Sequence, residues 1–154
     1  GLFFPSKWGL RDKVGQALFT VHDPVPHYDG QLGNTVDRLL ARLPEGRPLL
    51  RYNWTLHDSA ELCQHPGVGL VAHAVVAPDQ LYFRSERQTL SRITGTDAVL
   101  FTIKTLQAPL KDALTDMPEL AAFLCDEISH MDAATLAYKS LAGRADAICT
   151  YLSA

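Results

Sequence analysis

Three clusters in the chain carry residue types from which a reactive site can be assembled. His22 stands in VHDPVP, where Pro24 and Pro26 fix φ and remove their own backbone donors, so the segment reads as stiff and extended. A histidine held that way suits an axial metal or haem ligand, which needs a neutral ring nitrogen in a defined direction while the other nitrogen is engaged by a partner. A surface-loop histidine beside prolines is the plain alternative. His73, within an apolar run, reads either as a core histidine or as a second candidate ligand. The next cluster is residues 81–90, LYFRSERQTL, which set Arg84, Glu86 and Arg87 inside what otherwise reads as β-strand. Strand side chains alternate, so Arg84, Glu86 and Gln88 share one face while Ser85, Arg87 and Thr89 share the other. Burying an unpaired charge is costly, and charges so placed are paired or bind a ligand unless the strand is an exposed edge. The third cluster, Arg51-Tyr52-Asn53-Trp54, combines a cation, an amide and aromatics on one strand, as a pocket wall does. An amphipathic strand with Trp54 in the core and Arg51 solvated is its plain alternative.

Other chemistries lack their signatures. The histidines, His22, His27, His57, His65, His73 and His130, are scattered without the i, i+4 spacing of a zinc-binding helix, and there is neither a glycine-rich phosphate loop nor a G-x-S-x-G elbow. Cys63, Cys125 and Cys149 are odd in number and far apart, which reads as ordinary buried thiols in a reducing, cytoplasmic setting. A formal charge of −3, from 14 Lys+Arg against 17 Asp+Glu, lacks the basic excess of a general nucleic-acid binder. No apolar run reaches the length of a membrane span, so neither nucleic acid nor membrane is an expected partner.

The elements that must position these clusters follow from periodicity. Residues 2–4 read as the tail of a strand, and residues 10–16 as a short helix carrying Lys13. Residues 34–42 place Val36 and leucines at helical spacing, with Pro44-Glu45-Gly46 as the stop, and residues 49–56 form a strand. Residues 58–63 read as one helical turn from an Asp or Ser cap. The run from 67 to 78 fits either a buried strand or a buried helix. Residues 81–90 and 98–106, joined by Thr94-Gly95-Thr96-Asp97, predict an antiparallel hairpin. Helices are then predicted over 117–128, 133–140 and 144–152. Hairpin-paired strands with helices grouped at one end indicate a single α+β domain over residues 1–154, whose start at Gly1 looks truncated.

A series of motifs runs through these elements in order. They are Phe4-Pro5-Ser6-x-Trp8-x-Leu10-x-x-Lys13-x-Gly15, Val21-His22-x-Pro24-Val25-Pro26, Arg51-x-Asn53-Trp54, Arg84-x-Glu86-Arg87-Gln88-Thr89-Leu90, Phe101-Thr102-Ile103-x-Thr105 with Pro109-Leu110, and Tyr138-Lys139. Together they resemble the haem-dependent oxidative N-demethylase family, which includes the haem-carrying α subunit of bacterial dimethylamine monooxygenase. That resemblance implies a PAS-like fold, a small antiparallel sheet and flanking helices enclosing haem b. It further implies O2 activation at the iron, electrons from NADPH through flavin and iron–sulfur reductase subunits, and removal of a methyl group from a small secondary amine such as dimethylamine as formaldehyde. In that frame His22 is the expected axial ligand, with His73 the alternative. Arg51, Arg84 and Arg87 would pair with propionates or order the strand. Glu86 would neutralise an arginine or face a protonated amine, and Trp54 with Tyr52 would wall the amine site. Family members generally carry a further segment ahead of the position of Gly1, expected to supply the first strand, and residues 91–97 and 106–108 depart from the family pattern. A haem-binding gas sensor and a cofactor-free structural subunit are the other classes that the same fold admits.

Overall fold

The computed structural model describes residues 9–28, 32–64 and 76–154. The expected strand tail at 2–4, His65, His73 and most of the ambiguous run from 67 to 78 lie outside them. The alternating β-branched and aromatic stretches form strands β1 (Leu49–His57), β2 (Tyr82–Arg92) and β3 (Val99–Pro109), an antiparallel sheet in the order β1-β2-β3. The β2–β3 hairpin closes where Ile93 N donates to Ala98 O at 3.0 Å, and Gly95 takes the left-handed φ of +73° that the turn demands. The charged strand β2 therefore lies in the middle of the sheet, not at its edge as the plain alternative had it. Its alternation is resolved by burial: Arg84 and Gln88 are buried and Glu86 half-buried on one face, while Arg87 is exposed on the other.

The chain packs as two compact units, through both of which all three strands run. The first comprises Gly1–Arg11, Thr55–Arg84 and Gln107–Ala154. Its core comes from α3 (Leu110–Asp116), α4 (Glu119–Ser129) and α6 (Ala145–Leu152). Leu120, Leu124 and Ile128 recur at the i, i+4 spacing that puts them on one stripe of α4, and Ile148 and Leu152 do the same on α6. Each such burial stabilises by roughly 1.5–3 kcal/mol. A shorter helix, α5 (Ala133–Tyr138), starts at Asp132, whose carboxylate accepts from Thr135 N at 2.7 Å. Among the described residues no helix is long and apolar enough to cross a membrane.

Three local expectations are corrected. Helix α3 was not expected ahead of residue 117; it starts as soon as Pro109 ends β3, anchored by Leu110 N donating to Leu81 O at 2.7 Å. Residues 58–63 form no helical turn, because Asp58 is taken up by a bidentate pair with Arg144 at 2.8 and 3.1 Å and Ser59 Oγ instead accepts from Glu61 N at 3.0 Å. The predicted helix over 10–16 shrinks to a single 3-10 turn, Leu10–Asp12.

The second unit comprises Asp12–Trp54 and Ser85–Leu106. It holds α1 (Leu18–Val21), α2 (Gly33–Ala41) and the hairpin end of the sheet. Arg92 of β2 fastens the C-terminus of α2, donating to the carbonyls of Leu40, Ala41 and Leu43. These are carbonyls at a helix end, and of them Leu40 O also accepts from Leu43 N at 3.3 Å.

Candidate functional site

The histidine–proline segment builds a compact cluster inside the second unit. Helix α1 ends at His22, whose backbone N–H closes the last turn onto Leu18 O at 3.2 Å and Phe19 O at 3.1 Å. The Lys13 ammonium caps the same end, donating to Val21 O at 2.5 Å, the position a cation is expected to favour at a helix C-terminus. The segment after His22 does not run extended. Val25 N donates to His22 O at 2.8 Å and Tyr28 N to Val25 O at 3.3 Å, so two successive turns double the chain back. His27 takes a left-handed φ of 62° to complete the reversal.

The result is that Tyr28 lies on His22. Their rings stack with centroids 4.5 Å apart and planes 10° from parallel, and Phe19 tilts against Tyr28 at 6.3 Å. The imidazole is fixed a second time by Nδ1, 2.9 Å from Leu18 O. A carbonyl oxygen only accepts, so this bond requires the proton on Nδ1 and leaves Nε2 as the nitrogen with an available lone pair. Among the described residues Nε2 has no hydrogen-bond partner. Tyr28 is only 4% exposed, and its hydroxyl likewise has no partner. Burial, and secondarily the Asp37 carboxylate, push its pKa above the ordinary phenol value, so it stays a donor. Gly33 makes room for it: a Cβ there would lie 3.1 Å from Tyr28 O and 3.5 Å from Tyr28 Cε1.

His22 could therefore hold a metal-bearing group through Nε2. An Nδ1–H···O=C bond is how ligating imidazoles are commonly oriented. Nor does the second unit fill its own interior. Tyr28 and Leu43 are its buried large apolar side chains among the described residues, while Phe19, Leu39, Tyr52, Leu100, Phe101 and Leu106 are exposed. Among the described residues no group of three or more His, Cys, Asp or Glu could hold a metal ion.

Among the described residues, the hydrogen bonds and ring contacts of His22 stay within residues 18–28 and reach none of the other sequence-derived candidates. Arg51 and Arg87 are exposed cations with no ion pair among the described residues, Tyr52 is 63% exposed, and Trp54 is half-buried. Glu86 accepts from Gln88 Nε2 at 2.9 Å, leaving Gln88 Oε1 without a partner. Arg84, in the first unit, is 0% exposed and gives Nη1 to Leu62 O at 2.6 Å. A shallow groove of the first unit, lined by Glu127, His130, Met131, Asp132, Thr135 and Lys139, is open and contains none of the candidates. Sequence reasoning missed Tyr28, the Leu18 carbonyl and Gly33. The available signals were a carbonyl four residues before His22 and an aromatic just after the second proline.

The family described as haem-dependent oxidative N-demethylase, alpha subunit-like, matches residues 1–149, nearly the whole chain. Its name carries haem dependence, and an alpha subunit implies an assembly with other subunits. The chain belongs to the haem-dependent oxidative N-demethylase, alpha subunit-like family.

Proposed function

We propose that residues 1–154 act as one haem b-binding, PAS-like domain in a cytoplasmic oxygenase that removes a methyl group from a small secondary amine. The observation that carries this reading is His22: its Nδ1 proton is committed to Leu18 O at 2.9 Å and Nε2 is left as the donor atom. Bound haem supplies dioxygen activation, with electrons from NADPH through flavin and iron–sulfur subunits, and the products are the demethylated amine and formaldehyde.

The chain's own residues have separable tasks. His22 holds the group in one orientation through its fixed ring. Arg51 and Arg87, whose guanidinium groups are not spent on ion pairs among the described residues, serve the propionate carboxylates. Arg84, committed to Leu62 O, orders the strand. Trp54 and Tyr52 offer aromatic faces to a secondary ammonium, and Glu86 supplies a countercharge that Gln88 Nε2 holds in place. A secondary amine is oxidised as its neutral form, so Glu86 also accepts the proton that the ammonium loses.

Haem-loaded protein, given a chemical reductant, oxygen and dimethylamine, is expected to release formaldehyde, and Glu86→Gln to release it at least tenfold more slowly, a typical loss for a proton-accepting group. A stable ferrous–oxygen complex with no formaldehyde from any small amine would overturn the demethylase assignment in favour of a gas-sensing domain.

A further inference from the structure

We propose that Cys125 and Cys149 form a redox modification site, a thiol pair that hydrogen peroxide converts to a disulfide bridging α4 and α6. The inference stands apart from the haem reading. Its basis is a meeting of two free thiols that lie far apart in the sequence and come together where α4 packs on α6. Leu124 and Ile148 are fully buried in that contact, and the residue after each, Cys125 and Cys149, is only half-buried, at its rim. Cys149 Sγ lies 3.9 Å from the Cys125 carbonyl oxygen, and the two side chains are hydrogen-bonded. Cys63 belongs to neither helix.

The two thiols differ, and the difference assigns their roles. Burial is the first cause that pushes the Cys149 thiol up, followed by its hydrogen bond with Cys125, the charge of Cys125 and the Asp146 carboxylate. Repulsion from Cys125 means that Cys125 is already thiolate when Cys149 gives up its proton, with the Cys149 S–H donating to it. Thiolate is the form that attacks peroxide. The Cys125 sulfur therefore takes one oxygen from hydrogen peroxide, the O–O bond breaks, and hydroxide leaves with a sulfenic acid formed. The thiolate charge that held the Cys149 proton is thereby lost. Cys149 sulfur then attacks the sulfenic sulfur, the S–O bond breaks, and water departs with the Cys149 proton. Two thiols and one peroxide thus give one disulfide and two waters, with two electrons passing from sulfur to oxygen.

Hydrogen peroxide added to the reduced full-length chain, followed by peptide mapping without reductant, reads the site directly. Wild type should yield a cross-linked Cys125–Cys149 peptide. Its urea midpoint should shift upward and return with dithiothreitol, because a bond between residues 24 apart restricts the unfolded chain. Cys149→Ser should accumulate a dimedone adduct on Cys125 that wild type does not keep, and Cys125→Ser should lose both adduct and cross-link. Cys63→Ser should cross-link as wild type does. Cross-links that run through Cys63, or a dimedone adduct that persists on Cys125 with Cys149 present, overturn the inference. A wild-type map without the Cys125–Cys149 peptide overturns it even where a serine variant fails to fold.

Discussion

At the scale of single residues, the proposed haem reading rests on how an imidazole is held. Pro24 and Pro26 made His22 legible from sequence, since they mark a restrained backbone. The restraint itself was not legible, because it comes from a backbone carbonyl at Leu18 and from Tyr28 brought back by a left-handed residue at His27. Side-chain periodicity says nothing about either. Gly33 carries a direct consequence. A methyl group at that position meets the Tyr28 backbone at 3.1 Å, so Gly33→Ala should destabilise by about 1–3 kcal/mol in urea denaturation and loosen haemin binding together with it. Full stability would mean that Tyr28 moves at no cost. A different residue, Cys149, lies with Sγ 3.9 Å from Cys125 O. Burial, and then its hydrogen bond with Cys125, push its thiol up to about 11. Only about one molecule in a thousand is then thiolate at pH 8. Alkylation of Cys149, followed by mass spectrometry, should accordingly be slow at pH 8 and still accelerating past pH 10, and a rate that levels off near pH 9 contradicts this.

At the scale of elements, the hairpin and the C-terminal helices were legible because their periods are unambiguous: strand stretches around a Thr-Gly turn, then apolar residues spaced by four. Helix α3 was hidden because its first apolar residues continue directly from β3 with no polar break. The position of β2 in the sheet was also hidden, since both of its faces are polar, and only pairing with β1 and β3 reveals that Arg84 and Gln88 are the buried face. Leu124 on α4 is wholly buried, and Leu124→Ala should cost about 2–5 kcal/mol of unfolding free energy, measured by chemical denaturation. Arg92→Ala tests the fastening of α2. It removes the side-chain donor shared by the carbonyls of Leu40, Ala41 and Leu43, so amide exchange in residues 33–43 should quicken while the helices of the first unit keep their protection. Uniform loss of protection would instead place Arg92 in a shared core.

At the scale of the molecule, the two units differ in how completely they bury themselves. The first has a leucine and isoleucine core drawn from α3, α4 and α6, and the second leaves aromatic and aliphatic side chains of α1, β1 and β3 exposed. Composition did not foretell that contrast, because apolar residues are spread along the whole chain and only the fold separates buried from open ones. A hydrophobic dye such as ANS should bind the apo-chain strongly and be displaced by one equivalent of haemin, as expected when a flat apolar group covers that surface. The visible absorption spectrum of the haemin-reconstituted chain tests the central claim most directly. Wild type should show an intense Soret band, and His22→Ala should lose it while its far-ultraviolet circular dichroism remains that of the folded chain. An undiminished Soret band in His22→Ala would contradict the account.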